Sequence, residues 1–275
     1  MQTLLNENWK FYLGDENEAY YKGYDDSAWK TVCLPHDWSV TLPFDKKYSS
    51  GTGYLAGGTG WYRKHFELGP DTQGKHIFVT FGGVYKNSRV WINSNYLGQR
   101  PYGYSTFTYD ITDFVIPGQN VLSVRVEHND LADSRWFTGS GIYRDVTLTV
   151  KNPCHFAEYS VFVSTKEANT EQAALRIQWQ LTDPEAQARF TLLDENGAEA
   201  AVSSLLPAEG ATEICVKHPK LWSPQSPYLY TLVCRAIKSG LETDREDYSI
   251  GIRTIRFDTD QGFFLNGSSM KIKGL

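Results

Sequence analysis

Short runs that alternate apolar and polar residues constrain the fold of the first half of the chain. The apolar positions are Ile77, Val79 and Phe81, then Val90 and Ile92, then Phe107, Tyr109 and Ile111, then Leu122, Val124 and Val126, and finally Val146, Leu148 and Val150. Gly, Asn, Asp or Pro bounds each run, and no helical period is sustained. A period of two places the apolar side chains on one face of a strand. The pattern predicts an all-β fold, a jelly-roll β-sandwich, over residues 1–151.

The second half of the chain has its own set of short strands. Pro153 marks a linker, because proline cannot donate to a sheet ladder and the composition changes beyond it. The predicted strands cover residues 159–164, 175–181, 189–193, 212–216, 228–237 and 247–257, with hairpin turns at 194–197 and 266–267. About seven strands in about a hundred residues are typical of an immunoglobulin-like β-sandwich. We assign this fold to residues 152–257.

The connector from Asp133 to Val146 has an unusual composition. It holds two arginines, two carboxylates and three aromatic residues around the sequence Gly139-Ser140-Gly141. Glycine lets the backbone take positive φ and lets other groups approach closely. A loop of this kind can hold aromatic rings and charge-assisted hydrogen bonds in fixed positions. The connector is therefore predicted to form a surface that faces a sugar.

The motifs of this connector and of the segments around it resemble those of glycoside hydrolase family 2, which contains β-galactosidases, β-glucuronidases and β-mannosidases. The connector is similar to the motif that closes the sugar-binding domain of that family. Further similar segments follow in family order: Leu34 to Trp38, Gly57 to Lys64, Phe81 to Tyr85, Val90 to Asn93, Leu221 to Pro224, Pro227 to Tyr230, Gly251 to Arg253, and Phe263 to Gly267. The resemblance covers essentially the whole chain and implies a galactose-binding-like jelly roll followed by the immunoglobulin-like sandwich.

The resemblance also implies where catalysis takes place. In the family, the catalytic glutamates lie in a (β/α)₈ barrel that follows the two β-domains. Residues 258–275 are similar to the entry segment of that barrel, so we expect a truncated chain without catalytic residues. The implied function is that of the non-catalytic N-terminal region of a retaining exo-β-glycosidase, most like a β-galactosidase. A β-glucuronidase, a β-mannosidase, and a free-standing carbohydrate-binding or interaction module remain open.

The resemblance implies three substrate-binding residues in the connector. Asp133 matches the family's loop carboxylate that reaches the sugar, with Asp130 as an alternative, and Arg135 and Trp136 follow it. A salt bridge that shapes the loop is the competing role for Asp133, and core packing is the competing role for Trp136. Some family members place a sugar-binding Asn where this chain has Gly57, so that contact is not expected here.

Two other motifs suggest chemistry that the sequence does not support. His36-Asp37 could belong to a hydrolytic triad, but no Gly-x-Ser-x-Gly elbow is present, so a structural role is expected for His36. The glycine-rich run at 51–60 resembles a phosphate loop. A phosphate loop needs a helix directly after it, whereas residues 61–66 have the composition of a strand.

Charge and cysteine content limit the partners. The net charge is −5 without a basic stripe, which disfavours nucleic acid, and no apolar run reaches the ~18 residues of a membrane span. The first ten residues do not resemble a signal peptide, and localisation stays open between bacterial cytoplasm and periplasm. The four cysteines lack metal-site spacing and are expected to be free, buried thiols. No cofactor is expected, the partner is a β-linked carbohydrate, and a homo-oligomer remains open.

Overall fold

The computed structural model describes residues 2–129 and 134–274. The chain divides into two compact units, Met1–Lys151 and Asn152–Leu275. Both units consist of antiparallel strands. Among the described residues the only helices are four short 3-10 helices, at Ser39–Thr41, Ser50–Thr52, Pro70–Thr72 and Thr112–Phe114. The all-β class predicted from the sequence is confirmed.

Ten strands make up the described part of the first unit. They are β1 (Gln2–Leu4), β2 (Trp9–Leu13), β3 (Lys30–Val32), β4 (Gly58–Leu68), β5 (His76–Phe81), β6 (Ser88–Ile92), β7 (Asn95–Arg100), β8 (Phe107–Asp110), β9 (Gly118–His128) and β10 (Val146–Lys151). They form one sheet in the order β1-β10-β5-β8 and another in the order β3-β2-β4-β9-β6-β7. The fully buried side chains of Val79 and Phe81 from β5, and of Val124 and Val126 from β9, belong to one core that draws on both sheets.

The first unit contains a tight hairpin, and the strand predicted after the glycine-rich run is confirmed. β6 and β7 form a hairpin whose turn residues Asn93 and Ser94 both have positive φ, at 48° and 74°. Positive φ at both central residues matches the twist of the flanking strands. The glycine-rich run leads into β4 and not into a helix, so it does not form a phosphate loop.

A second, smaller core lies on the other face of the six-stranded sheet. Trp61 and Tyr62 are neighbours on β4, and their side chains point to opposite faces. Tyr62 belongs to the main core, whereas Trp61 packs with Ala19 and Trp29. Trp29, with Tyr20 and Tyr24 packed against the same core, therefore covers the outer face of this sheet.

The second unit also contains ten described strands. They are β11 (Phe162–Ala168), β12 (Gln172–Gln180), β13 (Gln187–Leu193), β14 (Glu199–Val202), β15 (Glu209–Lys217), β16 (Tyr230–Lys238), β17 (Leu241–Ile250), β18 (Ile255–Asp258), β19 (Gly262–Leu265) and β20 (Ser268–Ser269). Their sheets have the orders β11-β12-β15, β14-β13-β16-β17 and β18-β19-β20. The first two sheets share a core that includes the fully buried side chains of Leu175, Ile177, Phe190 and Leu192.

The predicted single strand over 247–257 is wrong, because the structure has β17 and β18 with a break at residues 251–254. The Trp222 N–H donates to the Ile252 carbonyl oxygen at 2.8 Å, and the Arg253 guanidinium lies 4.7 Å from the centre of the Trp222 ring. A Cβ at Gly251 would lie only 3.0 Å from the same ring. The chain leaves the sheet at this point to pack around Trp222.

The cysteines are free, as expected, but not all of them are buried. Cys154 and Cys234 are buried, whereas Cys33 and Cys215 are exposed. Cys33 and Cys215 occupy the polar positions of their segments, so the expectation of burial was wrong for these two. Within residues 2–129 and 134–274, no helix has the length and apolar composition that a membrane crossing requires.

Candidate functional site

The connector after β9 lies at one end of the first sandwich. In one sheet, Gly58 at the start of β4 lies opposite His128 at the end of β9. In the other, Phe81 at the end of β5 lies opposite Val146 at the start of β10. The ends of four strands from both sheets therefore meet where the connector begins and ends. Asp130 and Asp133, the two predicted sugar-contacting carboxylates, lie outside the described residues.

The connector is hydrogen-bonded to two other loops. On one side the His36 N–H donates to the Ile142 carbonyl oxygen at 2.8 Å, and the Trp38 N–H donates to that of Ser140 at 3.1 Å. On the other side Tyr85 and Gly141 exchange backbone hydrogen bonds of 2.9 Å and 2.8 Å. The connector thus adds a short strand-like segment between loops that are far apart in sequence.

Gly141 allows this close packing. It has a φ of 127°, and a Cβ there would lie 2.3 Å from the Tyr62 hydroxyl and 2.6 Å from the His36 carbonyl oxygen. Any larger residue would push the connector away from both neighbours. The second glycine of the Gly-Ser-Gly sequence is therefore required by space as well as by backbone conformation.

Asp37 is the side chain that ties the connector to the loop before β4. Its Oδ1 accepts hydrogen bonds from the backbone N–H groups of Ser39 and Ser140, each at 2.9 Å. Burial raises the pKa of Asp37, although these N–H groups and the nearby His128 act in the opposite direction. A carboxylate here satisfies two backbone donors that the irregular chain path leaves without partners in a sheet.

We call Asp37 and its two backbone donors, Ser39 and Ser140, the Asp37 clamp. A row of polar side chains continues from it. The Ser140 hydroxyl oxygen lies 2.7 Å from the Ser39 hydroxyl oxygen and 2.7 Å from Nδ1 of His128. The Ser39 hydroxyl also lies 2.9 Å from the Ala56 carbonyl oxygen. The row joins the segment before β4, the end of β9 and the connector, so it fixes their relative positions.

The arrangement does not form a hydrolytic triad. Nδ1 of His36 pairs with the Tyr62 hydroxyl at 2.8 Å and not with a serine, and burial lowers the pKa of His36. Ser140, which does contact a histidine, is fully buried. A nucleophile must reach the substrate, so Ser140 and His128 are not placed as a catalytic pair, and the His36 ring contacts a buried tyrosine.

A cleft of about 200 Å³ opens beside the polar row. Its lining residues are Tyr48, Thr52, Leu55, Ala56, Gly57, Gly58, His128 and Asn129. A Cβ at Gly57 would lie 2.1 Å from the His128 carbonyl oxygen. The position where some family members carry an Asn therefore has no room for a side chain, and backbone forms this wall of the cleft.

Exposed aromatic residues stand next to the cleft. Trp136 is 60% exposed and Phe137 is 45% exposed, so core packing is not the role of Trp136. The Trp136 Nε1–H donates to the Tyr104 hydroxyl at 3.0 Å. Phe137 lies 3.7 Å from the position a Cβ would take on Gly53, beside the cleft residue Thr52. Phe137 and Trp136 thus extend from the rim of the cleft to the loop between β7 and β8.

A larger cleft, of about 490 Å³, opens at the opposite end of the sandwich. It lies near Leu68 at the end of β4 and His76 at the start of β5, and none of the described residues that line it is Phe, Tyr or Trp. Among the described residues no group of three His, Cys, Asp or Glu side chains is placed to hold a metal ion. The connector end is the stronger candidate for carbohydrate because it combines a cleft with exposed rings.

Comparison with known proteins identifies the family. The sugar binding domain of glycosyl hydrolases family 2 matches residues 2–153, and a second domain of glycosyl hydrolases family 2 matches residues 144–253. The chain belongs to glycosyl hydrolase family 2. The predicted family and the order of its two β-domains are confirmed.

Similar proteins within family 2 include enzymes of two activities. β-Galactosidase BoGH2A of Bacteroides ovatus is 39% identical over 98% of this chain and 34% of its own length. A putative β-glucuronidase of Formosa agariphila is 37% identical over all of this chain and 27% of its own length. A β-glycosidase from Bacteroides vulgatus has a similar structure, with a TM-score of 0.95 at 35% identity over 100% of this chain and 37% of that chain. The chain spans about a third of the length of these family 2 relatives.

Family membership does not assign roles to the individual residues of the connector. Asp133, Arg135 and Trp136 remain predicted substrate contacts, of which Arg135 and Trp136 lie on the exposed surface. Tyr104, which the structure joins to Trp136, was not among the residues predicted from the sequence. Its only sequence signal is the Tyr-Gly-Tyr arrangement of residues 102–104 in a loop between two strands.

Proposed function

We propose that the chain is the non-catalytic N-terminal region of a retaining exo-β-glycosidase that hydrolyses terminal β-galactosides. In this proposal the first unit completes the sugar pocket of a catalytic barrel, and the second unit supports that barrel. Residues 258–275 would lead into it. The observation that carries the proposal is the cleft with exposed aromatic residues at the connector end of a family 2 sugar-binding domain.

The lining of the cleft favours a neutral sugar. Among the described residues, the eight that line the cleft include neither lysine nor arginine. A glucuronate carboxylate is bound most strongly by a cationic side chain, commonly through paired hydrogen bonds from arginine. A galactoside needs only hydroxyl, amide and backbone partners, which Thr52, Asn129 and the glycine backbone can provide.

A β-glucuronidase is the second candidate, supported by the 37% identical relative of that name. Exposed Arg135 is the residue that could meet a carboxylate in that case. β-Mannoside hydrolysis and a free-standing binding module are the further alternatives that the sequence left open.

Activity measurements on two lengths of chain test the proposal. The 275-residue chain and a version extended through the following coding sequence are incubated with chromogenic β-galactoside, β-glucuronide and β-mannoside. We expect no turnover from the 275 residues, because general acid and nucleophile are supplied elsewhere. The extended protein should prefer the galactoside. Turnover by the short chain that is lost on changing one of its carboxylates would contradict the proposal.

The role proposed for Asp133 can be measured in the extended protein. A hydrogen bond from a sugar hydroxyl to a charged group would stabilise the transition state. Asp133→Ala should therefore lower kcat/KM by about tenfold to a hundredfold. Asp130→Ala is the neighbouring control and should change kcat/KM much less. If Asp133→Ala leaves kcat/KM within about twofold while lowering the melting temperature, Asp133 shapes the loop and does not contact the sugar.

A further inference from the structure

Three exposed aromatic residues form a continuous surface at the connector end, which we call the aromatic shelf: Tyr102, Tyr104 and Trp136. Tyr102 is 65% exposed and Tyr104 is 40% exposed. The rings of Tyr102 and Tyr104 meet edge to face with their centres 5.6 Å apart, and the Tyr104 hydroxyl accepts the hydrogen bond from Trp136. Neither tyrosine was singled out by the sequence.

Contacts with Tyr143 and Tyr85 hold the loop that carries Tyr102 and Tyr104 in place. The Tyr143 hydroxyl donates to the Gly103 carbonyl oxygen at 2.8 Å, which fixes the loop between the two tyrosines. A Cβ at Gly103 would lie 2.3 Å from the buried Tyr85 ring, and that ring also meets Tyr104 edge to face at 5.3 Å. Rings that are already fixed lose little conformational freedom when a ligand binds to them.

The shelf is continuous with the cleft. Tyr85 packs against Tyr104 on one side and against His128 on the other, with ring centres 5.1 Å apart in the second pair. His128 lines the cleft. Phe137, directly after Trp136, reaches Gly53 beside the cleft wall. A ligand that fills the cleft and continues past Phe137 towards Trp136 would pass over the shelf.

We propose that the shelf binds the sugar residues that follow the terminal one, so that the natural substrate is a β-linked oligosaccharide and not a glycoside with a small leaving group. The inference rests on the proposed function. A cleft of about 200 Å³ is smaller than the ~300–1,000 Å³ typical of drug-sized ligand sites, so further sugar units must lie outside it.

The chemistry of the shelf fits a neutral oligosaccharide. Flat rings can cover the apolar faces of pyranose units, and tyrosine hydroxyls can exchange hydrogen bonds with sugar hydroxyls. Because the Tyr104 hydroxyl accepts from Trp136, its own hydrogen remains available as a donor to a sugar. A protein partner is the competing occupant, and the test below distinguishes it.

Binding to the 275-residue chain tests the inference without catalysis. The probes are galactose and the β-1,4-linked galactobiose and galactotetraose, followed by calorimetry and by tryptophan fluorescence. We expect galactotetraose to bind at least about tenfold more tightly than galactose, because added units gain stacking contacts without a second cost of association. Trp136→Ala and Tyr102→Ala should each weaken galactotetraose binding about three- to tenfold.

Two further variants separate stacking from general surface effects. Tyr104→Phe keeps the ring but removes the acceptor of the Trp136 hydrogen bond, so it should weaken binding less than Trp136→Ala. Phe162→Ala removes a ring that is 61% exposed in the second unit, and it should leave binding unchanged. All variants change exposed side chains, so their melting temperatures should match that of the unmodified chain.

Three outcomes would overturn the inference. The first is equal binding of galactose and galactotetraose, and the second is galactotetraose binding that Trp136→Ala leaves unchanged. The third is protection of Trp136 from oxidation by N-bromosuccinimide in the extended protein without sugar, which would show that protein covers the shelf. The proposed function is measured separately by turnover, so the oligosaccharide inference can fail while β-galactoside hydrolysis stands.

Discussion

The two units of the chain differ in how many polar and charged residues they bury. Of the thirteen polar or charged residues buried in the described part of the chain, ten lie in the first unit. The three in the second unit are His155, Thr191 and Ser203. The second unit is organised around an apolar core between two sheets, whereas the first combines such a core with polar clusters at its irregular segments.

The difference follows from where the backbone leaves the sheets. A strand satisfies its N–H and C=O groups with its neighbours, but a long irregular segment needs side chains to do so. The first unit holds two such segments, residues 14–29 and the connector with its neighbouring loops. The side chain of Arg63 forms hydrogen bonds with the first segment, and that of Asp37 forms them with the second. Buried polar residues therefore mark the places where this unit departs from a simple sandwich.

The largest expected effect is that of removing Arg63. Its side chain is fully buried; its Nε donates to Asp26 at 2.7 Å, and its other nitrogens donate to backbone carbonyl oxygens including those of Tyr21 and Lys22. Arg63→Met leaves several carbonyl oxygens without their donor, and it leaves the buried Asp26 carboxylate with His65 Nε2, at 2.7 Å, in place of two basic partners. We expect the free energy of unfolding of the first unit to fall by about 3–5 kcal/mol.

Arg235→Met is the matched control in the second unit. Arg235 pairs with Glu242 at 3.1 Å but keeps 30% of its side chain exposed, so its loss should cost no more than about 1 kcal/mol. Differential scanning calorimetry of the two variants measures both effects. Similar shifts for the two variants would show that the comparison between the units is wrong.

A smaller effect is expected from Gly57→Ala, which tests how rigid the connector end is. The added Cβ would lie 2.1 Å from the His128 carbonyl oxygen, so backbone must move, at a cost of about 1–3 kcal/mol. Gly23→Ala is the control, because a Cβ there meets nothing within 4 Å. Denaturant unfolding compares the two. If Gly57→Ala is as stable as Gly23→Ala, the loop end yields easily and the cleft wall is not fixed.

The regular parts of both units could be predicted from the sequence. Ile77, Val79 and Phe81 are buried on β5 because a strand with one face in the core must alternate. The same rule explains the error at β17, whose first half was missed. Its residues 241–247 are exposed or only half-buried, so their sequence does not alternate between apolar and polar residues. Exposed strands of this kind are set by pairing with β16 and not by their own composition.

The position of the candidate site could be predicted, but its contacts could not. The glycine, arginine and aromatic composition of the connector indicated a functional loop between two strands. The partner that fixes it, Asp37, lies 103 residues from Ser140 in sequence, and Tyr104 lies 32 residues from Trp136. No periodicity connects residues at such separations. They meet because separate loops converge at one end of the sandwich.

The smallest expected effect is a pH dependence that separates the Asp37 clamp from ordinary surface carboxylates. Burial raises the pKa of Asp37 above the ordinary value of 3.8, so the native chain holds this proton to higher pH than the unfolded chain does. The stabilisation linked to that proton is fully present below 3.8 and is lost as pH rises through the native pKa.

Asp37→Asn isolates this contribution, because asparagine keeps an oxygen that can accept from Ser39 and Ser140 but does not titrate. The free energy of unfolding of the unmodified chain, minus that of Asp37→Asn, should decrease between about pH 3 and pH 7. The decrease should stay below about 1 kcal/mol, because Asp37 is only half-buried and solvent screens its charge. Denaturant unfolding of both proteins across this range measures it. A difference that increases with pH would mean that the N–H groups of the clamp outweigh burial, and that Asp37 stabilises the connector as a charge.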